Sequence, residues 1–209
     1  DGVLHCCQVS RAACLRWKTL RFLPGELATE KERGTSDGHC WAELDDDWWK
    51  KEVGTGHAAR GRRDVLLSVW LTATSGEEAS VGHLYGQVRT YLNKADRKTE
   101  DVLIELHAYG QAYKAIYAAA AAGSVVLERA YARLDKLKIL TAVPLLAWLR
   151  ILPPAQLALH DHERAVLAVE SWVVLRLITG ANTRRYGAAF TSVVRPHPLA
   201  ARTADSALP

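Results

Sequence analysis

The 209-residue chain has no methionine, and its four cysteines, Cys6, Cys7, Cys14 and Cys40, all precede Trp41. A core beyond that point is built without thiols. Without a secretory signal the four cysteines read as reduced thiols and not as a disulfide framework. A chain that starts at Asp1 and lacks Met is expected to be a piece of a longer product, or a processed one. No basic-then-apolar leader with a small-residue cleavage site opens the sequence, which predicts a cytoplasmic location. Long hydrophobic runs are also missing. The most apolar stretch, Ala165 to Ala181, is interrupted by Glu170 and Arg176 and is too short for a bilayer span, so no membrane partner is expected. Charge of one sign is scarce too: 27 basic residues against 23 acidic ones leave a net +4. Any contact with nucleic acid must therefore come from a local patch and not from bulk charge.

What is present is a globular composition, 49% apolar and 24% charged, sufficient for one buried core. Val102, Leu106, Tyr109, Tyr113, Ile116 and Ala120 recur at spacings of four and three, predicting an amphipathic helix over residues 99–122. Gly123 and Ser124 break it, and Leu127, Ala130, Leu134 and Leu137 restart it behind a Ser124 cap, predicting an antiparallel helix pair. Pro144 suits the first turn of the helix carrying Leu145, Leu146, Trp148 and Leu149, and Pro153-Pro154 ends it. Asp161 is the expected N-cap of a helix from His162 to Thr179, apolar on nearly every face and stopped by Gly180. Its apolarity predicts a place at the centre. Further helices are expected over 64–72, over 81–92 behind Ser80, and over 41–53, with no convincing strand. The expected organisation is a poorly defined N-terminal segment (1–33), a helical domain (34–190) and a flexible tail rich in Pro and Ala (191–209). The expected class is all-α, an irregular multi-helix bundle around a central apolar helix.

A search for chemistry finds patterns that structure explains better. Gly54, Gly56 and Gly61 fit neither a dinucleotide fingerprint nor a Walker loop, and read as a linker. His160, Asp161 and His162 lack the one-turn spacing of helical zinc ligands and read as an exposed helix entry. His39 with the four cysteines lacks the paired spacing of zinc folds, so no metal or other cofactor is expected. Asp45, Asp46 and Asp47 beside Lys50 and Lys51 suggest a nuclease metal set, yet acids in a first turn and lysines one turn on are what an exposed helix favours. Trp48 and Trp49 cannot both face one core from one helix side, which marks them as a candidate domain interface. Arg60, Arg62 and Arg63, together with Arg184 and Arg185, are the weak candidates for phosphate contacts. Glu170 and Arg176, embedded in the most apolar segment, are expected to be buried charges with partners inside the fold. No catalytic residue emerges.

Three tryptophan-anchored stretches nevertheless form a pattern: Trp41-Ala-Glu-Leu-Asp-Asp-Asp-Trp48-Trp49-Lys-Lys-Glu-Val53, then Asp64-Val-Leu-Leu-Ser-Val-Trp70-Leu-Thr, then Glu170-Ser-Trp172 leading to Arg176, Thr183, Tyr186 and Phe190. From about Leu23 to Phe190 the chain resembles the helical middle region of GmrSD-type restriction proteins, whose N-terminal ParB-like domain bears a DGQQR motif. The resemblance implies a phage-defence protein coupling nucleotide hydrolysis to DNA cleavage by a C-terminal His-Asn-His nuclease. This chain has no Asp-Gly-Gln-Gln-Arg sequence, and Arg195-Pro-His197-Pro, with so little chain after it, is too short for a nuclease. The Asn-Gly segment that usually precedes the helical part is unrecognisable in residues 1–21. The expected function is thus a helical connector that positions NTPase and nuclease parts absent from this chain, with DNA as a candidate partner. The alternative is a stand-alone, non-catalytic helical interaction module or a truncated remnant.

Overall fold

The computed structural model describes residues 47–53, 59–95, 99–118, 123–182 and 185–194. The described residues fall into two compact units, one holding those up to 68 and 80–107, the other holding 69–79 and 108–194. Among them are eight α-helices and a single two-stranded pairing, so the class is helical as the patterning requires.

The chain enters through a short helix, α1 (Asp47–Lys50), and a two-residue strand, β1 (Glu52–Val53). β1 pairs antiparallel with β2 (Arg60–Gly61), Glu52 opposite Gly61 and Val53 opposite Arg60. This corrects the expected helix through Val53 and the expected lack of strands; residues 41–46 lie outside those described. Val53 is β-branched and Gly54 comes next in sequence, so the helix has nothing to continue on. The Arg62 amide donates to the Lys51 carbonyl at 3.0 Å, carrying the pairing up to the start of α2 (Arg62–Ser75). In α2 every residue from Asp64 to Leu67 and from Val69 to Thr74 is buried. Its short polar side chains are satisfied locally: Ser68 donates to the Val65 carbonyl at 2.8 Å and Thr74 to the Trp70 carbonyl at 2.9 Å. The Thr72 hydroxyl accepts the Ala79 amide at 3.1 Å.

The 81–92 segment is a 3-10 turn (Val81–His83) followed by α3 (Leu84–Ala95), which buries Leu84, Val88 and Leu92 at four-residue spacing. Ser80 stands at the cap position, but its hydroxyl makes no cap bond; its amide donates to Gln87 Oε1 at 2.8 Å instead. The predicted stripe lies in α4 (Thr99–Tyr117), with Leu106, Tyr109, Tyr113 and Ile116 buried and Val102 half-buried. Ala120 lies outside the described residues.

Local signals are read most faithfully in the second unit. Ser124 accepts the Leu127 amide at 3.2 Å and caps α5 (Val125–Lys136), which buries Leu127, Ala130, Tyr131 and Leu134. Pro144 occupies the first turn of α6 (Val143–Ile151), and the chain turns extended at Leu152, just before the proline pair. α7 (Leu159–Ile178) ends at Gly180, whose φ of 67° lets its amide reach Leu177 while the Ala181 amide reaches Arg176. The last helix is α8 (Tyr186–Thr191). α5 and α6 both pack on α7, and α8 packs on α6 and on the 3-10 turn Leu140–Ala142 that precedes it.

Two expectations for α7 need correction. Its N-cap is Ala158, which supplies no side-chain cap, and Asp161 sits inside the first turn. Nor is α7 the fully buried centre: only His162, Val166 and Val173 are buried, whereas Leu175 is 62% and Ile178 76% exposed. Residues 162, 166 and 173 form one stripe that meets its neighbours, and off that stripe Leu159, Leu175, Leu177 and Ile178 are exposed. The more deeply buried helix is α2, buried at every position from Asp64 to Thr74 except Ser68. Among the described residues no helix is long and apolar enough to cross a membrane.

Candidate functional site

The basic group before α2 is tied into the fold. Arg62 is half-buried, donates to the Trp48 carbonyl at 2.9 Å and stacks its guanidinium 4.0 Å from the Trp48 ring centroid. Trp48 in turn stands edge-on to Trp49 at 4.8 Å, and Trp49 is 2% exposed. The cation–π contact, typically worth about 0.5–2 kcal/mol, thus anchors β2 and the start of α2 to α1. Arg60 donates to the Ala59 carbonyl at 2.7 Å, and both Arg60 and Arg63 are half-buried. Of the other basic pair, Arg185 is exposed at the start of α8, while Arg184 lies outside the described residues. Asp47 pairs with Lys50 at 2.8 Å on an exposed turn, with the geometry of an ordinary spaced ion pair; Asp45 and Asp46 lie outside the described residues.

A second arginine–tryptophan stack lies in the other unit. Arg176 sits 4.8 Å from the Trp172 ring and 5.8 Å from that of Tyr186. Trp172, Tyr186 and Phe190 meet edge-to-face, with centroids 4.9 and 5.0 Å from Trp172, joining the end of α7 to α8. Glu170 has a partner from another helix: Arg133 of α5 grips its carboxylate with Nε on Oε1 and with Nη2 on Oε2 at 2.7 Å. This fork holds the Arg133 guanidinium above its usual pKa, chiefly through the hydrogen bond to Glu170. Both residues named as buried charges are half-buried, and each has a neighbour inside the fold.

The histidines at the entry of α7 divide. His160 and Asp161 are exposed, with Asp161 3.8 Å from Arg164. His162, expected to be exposed, is only 6% accessible. Its Nε2 lies 3.3 Å from the Tyr131 hydroxyl of α5. Burial, and then the charge of Arg150 on α6, hold this imidazole below its ordinary pKa, against a smaller opposing pull from Glu163. Burial pushes the Tyr131 phenol up to about 12, with Arg150 pulling the other way. Sequence reading missed this contact between α5 and α7. The available signal was the spacing 162, 166, 173, which puts His162 on the stripe of Val166 and Val173.

Among the described residues no three His, Cys, Asp or Glu side chains converge to hold a metal ion. Cys6, Cys7, Cys14, His39 and Cys40 lie outside those residues. The described candidate residues are therefore brought together as packing anchors within each unit: Trp48, Trp49 and Arg62 in the first, and Glu170, Trp172, Arg176, Tyr186 and Phe190 in the second. No protein-family profile, no curated protein and no solved structure matches the chain.

Proposed function

We propose that this chain is the helical connector region of a DNA-targeting restriction protein of GmrSD type, positioning nucleotide-hydrolysing and nuclease parts that the sequence does not contain. The observation that supports this reading is where the resemblance-bearing residues sit. Trp49, Trp70, Tyr186 and Phe190 are buried, and Trp48 and Trp172 carry stacked arginines. Residues so placed fix helix geometry, the property a connector must supply. On this reading the chain alone shows no detectable nucleotide hydrolysis or DNA cleavage.

DNA contact is the testable part. The arginines that carry the test are Arg60, Arg63 and Arg185, since Arg62 is committed to Trp48. Fluorescence anisotropy on duplex DNA across a salt series should show binding that weakens with salt. R60A/R63A/R185A should lower the log–log salt slope by about one for each phosphate no longer neutralised. No binding at low salt would remove DNA contact from the proposal.

The exposed apolar end of α7, Leu175 and Ile178, together with the exposed Val193, favours a second reading as an interaction module without a DNA role. The flanking coding sequence separates the two. A DGQQR-encoding frame upstream and a His-Asn-His frame downstream support the connector; start and stop signals bounding this chain support the module.

A further inference from the structure

We propose that His162, Tyr131 and Arg150 form an acid-sensitive latch, at which protonation of the buried imidazole releases the first turns of α7 from α5 and α6. This inference does not depend on the connector reading. It rests on how three helices meet. His162 is buried in the first turns of α7 and its Nε2 contacts the Tyr131 hydroxyl of α5 at 3.3 Å, while the Arg150 guanidinium of α6 acts on both groups. A neutral imidazole satisfies this contact by accepting from or donating to the hydroxyl, according to its tautomer. An imidazolium can only donate, and its second N–H must find a partner in a buried setting.

The surroundings oppose that charge. The charge of Arg150, on α6, opposes it, and Tyr131, whose hydroxyl meets it from α5, stays neutral across the acid range with its pKa pushed up to about 12. The early amides of α7 point their positive dipole ends the same way. Glu163, on the same helix, is the opposing charge and the smaller influence. The end of α7 that has to move is also the weakly secured one, because Ala158 provides no side-chain cap. Beyond it, Val166 and Val173 are buried and Glu170 is held by Arg133, which confines the opening to the entry of the helix.

The sign follows from linkage. The docked imidazole has a lowered pKa, so the released state binds more protons. The latch is closed above the ordinary histidine value of about 6.5 and loosens as pH falls below it, by at most about tenfold in the opening constant per pH unit. Hydrogen–deuterium exchange between pH 7.5 and 5, corrected for intrinsic chemical rates, reads this directly. Peptides covering residues 159–166 should lose up to about tenfold protection per pH unit below 6.5, while α2 keeps its protection. In His162→Gln the profile of α7 should be flat. Unchanged protection at the α7 entry of the native chain, or an equal loss in α2, would overturn the latch. Should His162→Gln fail to fold, the imidazole resonance of His162, assigned through its proximity to the Tyr131 ring, decides instead. Its midpoint is expected below 6.5 in the native chain and higher in Arg150→Gln. A native midpoint at or above 6.5, or one unmoved by that substitution, overturns the proposal.

Discussion

α2 and α7 are both rich in apolar residues, yet α2 is buried from Asp64 to Thr74 with only Ser68 partly open, whereas α7 shows Leu175 and Ile178 to solvent. The difference lies in the polar residues each helix carries. Those in the buried span of α2, Asp64 to Thr74, are short, while the long Arg62 and Arg63 lie half-buried at its start. The Ser68 and Thr74 hydroxyls bond to carbonyls one turn back and the Thr72 hydroxyl takes the Ala79 amide, so each has a hydrogen-bond partner close by in the chain. Asp64 sits in the first turn, where the helix dipole favours a carboxylate. α7 carries Glu170 and Arg176, whose long charged side chains lie against the half-exposed Arg133 and against the rings of Trp172 and Tyr186, with the buried Nε of Arg176 left without a hydrogen-bond partner. Burying α7 on every side would take such charges out of water, a cost of several kcal/mol per ion. In these two helices the long charged side chains accompany the shallower burial and the short polar ones the deeper.

The contrast is most directly broken by truncation. Leu66→Ala in α2 should cost about 2–5 kcal/mol in urea unfolding, while Ile178→Ala in α7 should stay within about 0.5 kcal/mol. Equal losses would mean that α7 is packed as tightly as α2. A smaller effect separates the capped and uncapped helices of the second unit. Ser124→Ala should destabilise by about 1 kcal/mol and Ala158→Ser should stabilise by up to about that amount, read as a shift in the same transition. The second change should also strengthen the entry of α7 against acid. Also small, and the most salt-sensitive, should be the loss on Glu170→Gln, because Arg133 is half-exposed and its ion pair is screened. A loss independent of salt between low and high ionic strength would show that the fork with Arg133 is not what Glu170 contributes.

Features readable before folding were those whose physics is local. Ser124, Pro144 and Gly180 act within a turn of themselves, and the 106, 109, 113, 116 stripe needs only the helical period to place it on one side of α4. The β1–β2 pairing was not legible, since two residues are too few to alternate and their partner lies across a glycine-containing stretch. The candidate residues were legible as residue types but not as contacts. Nothing in the order of the chain aligns Arg133 with Glu170 or stacks Arg62 on Trp48; helices arriving from distant positions do that.

The sequence alone determined that this chain is helical and where several of its helices stop, because caps, breakers and periodicity are properties of a few neighbouring residues. Tertiary structure decided that α2 and not α7 is the buried helix, that Arg62 stacks on an indole, and that His162 meets Tyr131 in the interior. Burial and electrostatic environment are summed over every segment that packs against a site, so a long apolar run and a lone histidine acquire their meaning only when the other helices are in place.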